Sequence, residues 1–138
     1  MTPALESGPR VLVVDDDPSV LACYRRLLRR AGYAVTGEGD PRRVLEAGAS
    51  VLDPVRLLLL DYRMPEIDGL TLLAQLRGRG VKARCILISA FLNDDVRRQA
   101  ERLGVDRVLQ KPVDVDRLRE ALADLVPLAP ATSVGLGG

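Results

Sequence analysis

Short apolar runs alternate with segments of helical periodicity along the chain, and this pattern predicts an α/β fold. Between the runs, hydrophobic residues recur three and four positions apart, as in helices that bury one face. We predict five helices and five strands, with the strands at residues 11–14, 33–38, 55–60, 85–88 and 105–109. Strands that alternate with helices form a parallel sheet with helices on both faces. The chain is therefore predicted to be a doubly wound α/β domain.

Local signals at helix and strand ends support this division. Asp17 and Pro18 indicate the N-terminal cap and the first turn of the first helix. Gly32 indicates the end of this helix. The pair Asp53-Pro54 predicts a turn before the third strand. The first, third and fourth strands are apolar throughout, as expected for strands covered on both faces.

Composition narrows the class of protein. The chain has 138 residues, with 20 basic and 19 acidic side chains and a net charge of +1. This balance argues against a partner held mainly by nucleic-acid phosphates or anionic lipids. No apolar run approaches the ~20 residues that span a bilayer, and the first residues lack the layout of a secretion signal. We therefore expect a cytoplasmic protein that binds neither nucleic acid nor membrane.

The counts of histidine and cysteine exclude several chemistries. The chain has no histidine, so catalysis by a Ser-His-Asp or Cys-His set is excluded, as is an imidazole metal ligand. Cys23 and Cys85 are far apart and outside any metal-binding spacing. We expect both to be buried, reduced thiols.

Ionisable and hydroxyl residues stand at the ends of four predicted strands. The carboxyl ends of parallel strands meet at one sheet edge, where α/β folds bind ligands. A site made of carboxylates, with no His or Cys ligand, selects a hard cation such as Mg²⁺. This ion commonly binds phosphate oxygens as well as carboxylates. A lysine and a hydroxyl suit a phosphoryl group, which a carboxylate can accept covalently. We predict a site for Mg²⁺ and a phosphoryl group at Asp15-Asp16-Asp17, Asp61, Ser89 and Lys111.

Each of these residues also has an ordinary structural explanation. The acidic triplet would suit a helix-capping turn. Asp61 would be a turn residue, Ser89 a hydroxyl bonded within a local turn, and Lys111 a surface lysine. Because all four explanations would have to hold at four separate strand ends, we favour the functional interpretation. For Asp17, helix capping and an outer role at the metal carry equal weight.

The segments that carry these residues resemble the receiver domain of bacterial response regulators. The resemblance covers about residues 9–126 and implies a flavodoxin-like five-stranded parallel sheet of order 2-1-3-4-5 with five flanking helices. Residues 1–8 are expected to form a flexible N-terminus, and the Pro/Ala/Gly-rich residues 127–138 a flexible tail or the start of a linker. The matching segments are Val11-Leu12-Val13-Val14-Asp15-Asp16-Asp17-Pro18, Asp61-Tyr62-Arg63-Met64-Pro65, Asp68-Gly69, Ile88-Ser89-Ala90 and Lys111-Pro112.

The resemblance implies a role for each site residue. Asp61 would accept the phosphoryl group, Ser89 would hydrogen-bond it, and Lys111 would pair with its charge. The Lys111–Pro112 peptide bond is expected to be cis. The implied Mg²⁺ ligands are Asp16, Asp61, the backbone carbonyl of Arg63 and, through an oriented water, Asp15.

The same resemblance implies the partners. The phosphoryl donor would be a phosphohistidine on a histidine kinase or histidine phosphotransfer protein, and the output would be contact with an unidentified downstream protein. Since this chain has no histidine, the donor must be another molecule. Dimerisation is left open. The chain would be a phosphorelay switch that catalyses only its own phosphotransfer and dephosphorylation.

Three other interpretations stay open. The chain could be the receiver segment of a larger regulator or of a hybrid histidine kinase. It could be a pseudo-receiver that docks partners without phosphate, although the complete residue set argues against this. It could also be a Mg²⁺-dependent phosphohydrolase with an aspartate nucleophile, resembling the haloacid dehalogenase family.

One position departs from the family pattern. Val108 stands where many receivers carry a Tyr or Phe that moves inward on switching, and whether this replacement alters the switch is left open. The helix from Asp94 has a thin apolar stripe and is the element expected to move. Arg63 and Phe91 each follow a site residue by two positions and are expected to border the path of an attacking water.

Overall fold

The computed structural model describes residues 7–128, and these form five strands and six helices. The expected flexible segments fall mostly on residues 1–6 and 129–138, which lie outside the described residues. The strands are β1 (Arg10–Val14), β2 (Ala34–Glu38), β3 (Val55–Asp61), β4 (Arg84–Ser89) and β5 (Arg107–Gln110). The helices are α1 (Pro18–Arg30), α2 (Pro41–Glu46), α3 (Ala49–Leu52), α4 (Gly69–Gly78), α5 (Asp94–Arg102) and α6 (Val115–Leu125).

The strands form one parallel sheet in the order β2-β1-β3-β4-β5, which confirms the predicted topology. The central strand β3 pairs with β1 on one side and with β4 on the other. Its last residue, Asp61, stands opposite Ile88 of β4. This order brings the ends of β1, β3, β4 and β5 together at one edge of the sheet.

The apolar strands supply two cores, one on each face of the sheet. Successive side chains of a strand point to opposite faces. In β3, Leu58 and Leu60 therefore pack with α4 and α5, while Leu57 and Leu59 pack with α1 and α6. All four leucines are at most 1% exposed. Burial on both sides explains why the central strands are apolar throughout rather than alternating.

The prediction of five helices was wrong by one short helix. The structure adds α3, a single helical turn that directly precedes the predicted turn at Asp53-Pro54. Gly48 precedes it and offers no side-chain cap. By contrast, α1, α2, α4, α5 and α6 each begin at an Asp or Asn whose side chain accepts a backbone N–H. A four-residue helix without a cap leaves little signal in the sequence.

The expectation of two buried thiols was wrong for one cysteine. Cys85 lies in β4 and is fully buried, but Cys23 is exposed on α1. The core-facing residues of α1 are Tyr24 and Leu28, and Cys23 lies beside that stripe rather than on it. Among residues 7–128, no helix has the length and apolar character needed to cross a membrane.

Candidate functional site

Three carboxylates converge at the carboxyl edge of the sheet. Asp15 directly follows β1, Asp16 follows it, and Asp61 ends β3, the neighbouring strand. One carboxylate oxygen from each residue lies within 4.8 Å of the others. Asp15 and Asp61 are 2% and 6% exposed, whereas Asp16 is exposed to solvent. The sequence prediction that these residues meet is therefore confirmed.

The local backbone fixes the Asp15 carboxylate. Its Oδ1 accepts a hydrogen bond of 2.9 Å from the amide of Asp17. Its Oδ2 is buried and has no hydrogen-bond partner in the described structure. A buried carboxylate oxygen without a donor is costly unless a cation or water satisfies it. The acidic cluster is therefore suited to a hard cation.

Lys111 reaches into the cluster from the end of β5. Its Nζ lies 2.9 Å from Oδ1 of Asp61, and its side chain is 35% exposed. Its backbone amide donates to the carbonyl of Ser89 at 2.9 Å, which continues the pairing of β5 with β4. The Lys111–Pro112 peptide bond is cis, as expected.

The charges of the site perturb one another. Burial, reinforced by repulsion from neighbouring carboxylates, raises the pKa of Asp15 and of Asp61, although Lys111 opposes the rise at both. Partial burial alone would lower the pKa of Lys111, but its hydrogen bond to Asp61 and the nearby negative charges outweigh burial and raise that pKa. The three carboxylates thus carry more negative charge than one lysine neutralises. An added cation would reduce the repulsion between them.

Ser89 is buried at the end of β4, but its hydroxyl is engaged locally. Oγ donates to the carbonyl of Phe91 at 2.6 Å and accepts from the amide of Phe91 at 3.1 Å. This is the local-turn bonding named above as the ordinary explanation for Ser89. The residue is at the predicted edge, while its hydroxyl is bonded to the β4–α5 loop.

The loops after β3 and β4 touch beside the site. The guanidinium of Arg63 lies over the ring of Phe91, 5.5 Å from its centroid. Phe91 is 65% exposed, so this contact lies on the solvent-facing side of the two loops and is not part of the buried core. The sequence placed each residue two positions after a site residue, but it did not indicate that they contact each other.

Gly69 has a role that sequence reasoning missed. It begins α4, and a Cβ at this position would lie 2.5 Å from the carbonyl oxygen of Asp61. Its amide donates to the carbonyl of Tyr62 at 2.8 Å. Only glycine allows α4 to start this close to the backbone of Asp61. The Asp68-Gly69 pair was the available signal, since Asp68 also caps α4 through the amide of Thr71.

The fold and the site define a class of doubly wound α/β domain that gathers carboxylates and a lysine at the carboxyl edge of its sheet, and sequence comparison gives the family. The sequence profile described as the response regulator receiver domain matches residues 11–123. The chain belongs to this family.

Individual proteins agree with this assignment. The transcriptional regulatory protein AruR of Pseudomonas aeruginosa is 37% identical over 122 residues, which are 86% of this chain and 49% of that protein. The hybrid signal transduction protein dokA of Dictyostelium discoideum is 32% identical over 128 residues, which are 91% of this chain and 8% of that protein. The receiver domain of Francisella response regulator 1452 superposes with a TM-score of 0.76 at 26% identity, covering 85% of this chain and 95% of that one. The matched region thus makes up about half of AruR and a small part of dokA.

Proposed function

We propose that the chain is a Mg²⁺-dependent phosphoacceptor switch of two-component signalling, acting in the cytoplasm. It takes a phosphoryl group onto Asp61 from a phosphohistidine of a histidine kinase or histidine phosphotransfer protein. One observation carries this proposal: three carboxylates lie within 4.8 Å of one another, and Lys111 Nζ stands 2.9 Å from Asp61. Three carboxylates this close repel one another, so the cluster lowers stability unless it binds a cation.

The chain's own residues account for the transfer. A carboxylate oxygen of Asp61 attacks the phosphorus, and the phosphorus–nitrogen bond breaks with its electron pair remaining on the imidazole of the donor. Lys111 offsets the charge of the phosphoryl oxygens. Ser89 donates its hydroxyl to one of those oxygens after releasing the carbonyl of Phe91. Hydrolysis by water later returns Asp61 to its free carboxylate.

The residues present fit a magnesium ion. Asp16 and Asp61 would hold it directly with the backbone carbonyl of Arg63, and Asp15 would orient a water, using the oxygen that now lacks a partner. When bound, Mg²⁺ would supply positive charge that offsets the negative charges of the carboxylates and of the phosphoryl group. The acidic residues thereby become compatible with an incoming anion.

The catalysis acts only on the chain's own acceptor, Asp61. The domain catalyses only its own phosphotransfer and dephosphorylation and is not a hydrolase of phosphate esters. Its output is contact with a downstream protein. Its folded unit extends over residues 9–126, and we infer that it serves as a receiver segment either alone or within a larger regulator. The long relatives favour the second arrangement, since one is named a hybrid signal transduction protein and another a transcriptional regulatory protein.

The direct test is phosphorylation in vitro. The protein is incubated with Mg²⁺ and acetyl phosphate and its intact mass is measured beside the Asp61→Asn variant. We expect one phosphoryl adduct on the wild-type chain, absent from the variant and absent after chelation of the metal. Turnover of small phosphate esters would instead indicate a phosphohydrolase.

A short-lived adduct must be separated from a domain that takes no phosphate. Beryllofluoride binds without a lasting covalent bond, so its binding is measured in the same buffer. Binding without an adduct would indicate rapid hydrolysis. Failure of both measurements would refute the proposal and favour a docking domain that works without phosphate.

A further inference from the structure

A second concave site lies at the sheet edge opposite the acidic cluster. It has a volume of about 540 Å³ and is lined by the amino ends of β3 and β4, by residues 79–83 and by the end of α6. The strands are parallel, so this edge is remote from Asp61. We call it the basic cavity.

Positive charge dominates the basic cavity. Arg56, Arg79, Lys82 and Arg84 line it, against one acidic residue, Asp53. Arg84 is occupied by Asp106, with an N–O distance of 3.0 Å. The other three basic residues are exposed and form no ion pair with any residue in the range 7–128. In a chain of net charge +1, this is a local concentration of unpaired cations.

The rim of the basic cavity is held in place by a neighbouring arginine. Nη1 of Arg77 donates to the carbonyls of Val81 at 2.9 Å and Ala83 at 2.8 Å. Its Nε donates to the carbonyl of Leu103 at 3.1 Å. These bonds fix the backbone on both sides of Lys82. A ligand would therefore meet a largely ordered backbone, which lowers the entropy lost on binding.

The floor of the basic cavity is aliphatic. Leu52, Val55 and Val126 contribute to it but are at most 7% exposed, so the half-buried Leu125 offers a ligand more aliphatic surface than any of them. None of the described residues that line the cavity is aromatic. Single-stranded nucleic acids gain much of their affinity by stacking bases on aromatic rings. The carboxylates of a protein ligand would pair well with the arginines of the cavity. Aliphatic side chains of the same ligand would suit its aliphatic floor.

We propose that the basic cavity binds an acidic protein segment that carries aliphatic residues among its carboxylates. The carboxylates pair with Arg56, Arg79 and Lys82 while an aliphatic side chain packs on the floor. This surface is separate from the phosphoacceptor edge and gives the domain a second place for a protein contact.

The test is an NMR titration of the ¹⁵N-labelled full chain with a short capped peptide of central leucines flanked by aspartates and glutamates. We expect saturable shifts of the amides of residues 79–84. Arg79→Gln and Lys82→Gln are each expected to weaken binding about threefold, the change typical of one exposed ion pair. The matched control is Arg102→Gln, at an exposed arginine on α5 outside the cavity, which should leave the affinity unchanged.

Three results would overturn the proposal. The first is the absence of saturable shifts at residues 79–84. The second is equal affinity for a peptide in which serines replace the leucines, because the aliphatic floor would then play no part. The third is tighter binding of a DNA oligonucleotide that displaces the peptide, which would assign the cavity to nucleic acid.

Discussion

Replacing Asp15 with asparagine is expected to stabilise the protein in metal-free buffer. The Asp15 carboxylate is 2% exposed and lies within 4.8 Å of oxygens of Asp16 and Asp61. Two unit charges at that separation repel by about 3.5 kcal/mol at an effective dielectric of ~20. The charge of Lys111 and the solvent around Asp16 offset much of this repulsion. We therefore expect Asp15→Asn to raise the free energy of unfolding by about 1–2 kcal/mol.

The amide is a close substitute in every other respect. It retains an oxygen to accept from the amide of Asp17, the contact that now measures 2.9 Å. It also places N–H donors where Oδ2 of Asp15 now lacks a partner. The gain therefore reports the removal of a charge together with the new N–H donors beside the carboxylates of Asp16 and Asp61, while the bond from the amide of Asp17 is kept.

Urea unfolding at neutral pH measures this effect, first with EDTA and then with Mg²⁺. A slope of about 1.5 kcal/mol per molar urea converts the expected gain into a midpoint about 1 M higher. Added Mg²⁺ should stabilise the wild-type chain by mass action and the variant less, because the variant lacks one acid of the site. Glu120→Gln, at an exposed acid on α6, is the matched control and should shift neither midpoint. A lower midpoint for Asp15→Asn in EDTA, or an unchanged response to Mg²⁺, would show the electrostatic reasoning to be wrong.

Three further predictions follow from single contacts. Gly69→Ala should cost about 2–3 kcal/mol of stability in urea unfolding and slow phosphorylation, because its Cβ would lie 2.5 Å from the Asp61 carbonyl; unchanged values would contradict the close approach. A maleimide should label Cys23 in the native protein and Cys85 only after unfolding, since burial of Cys85 is complete and raises its pKa to about 12. Lys111→Arg should keep the charge but impair partner binding after full phosphorylation, because the planar guanidinium cannot occupy the position of the ammonium 2.9 Å from Asp61; normal binding would refute this.

The strand ends were predictable because topology and pattern act together. A parallel sheet with apolar strands has one edge where all carboxyl ends meet, so Asp15, Asp61 and Lys111 had to lie near one another. Burial of a residue beside a helical stripe was harder to predict. Cys23 was assigned to the core from its residue type, whereas its helical position places it in solvent.

The sequence carries less information about the side-chain contacts of the loops around the site. A serine hydroxyl rotates freely and can choose among several partners, so the bonds of Ser89 to Phe91 depend on the path of the β4–α5 loop. The contact of Arg63 with Phe91 depends on how two separate loops approach. Such contacts have no periodicity and follow only from the folded backbone.

The engaged hydroxyl of Ser89 suggests how the proposed switch would operate without an aromatic residue at position 108. In the proposed mechanism, a phosphoryl group on Asp61 would compete with the Phe91 carbonyl for that hydroxyl, and loss of the 2.6 Å bond would free the loop that leads into α5. Of the residues of α5, only Val96 and Ala100 are buried, so few contacts resist its movement. Val108 lines a cavity of about 300 Å³ beside this helix, which leaves room for repacking. The signal would then pass through the loop and α5 rather than through rotation of a β5 side chain.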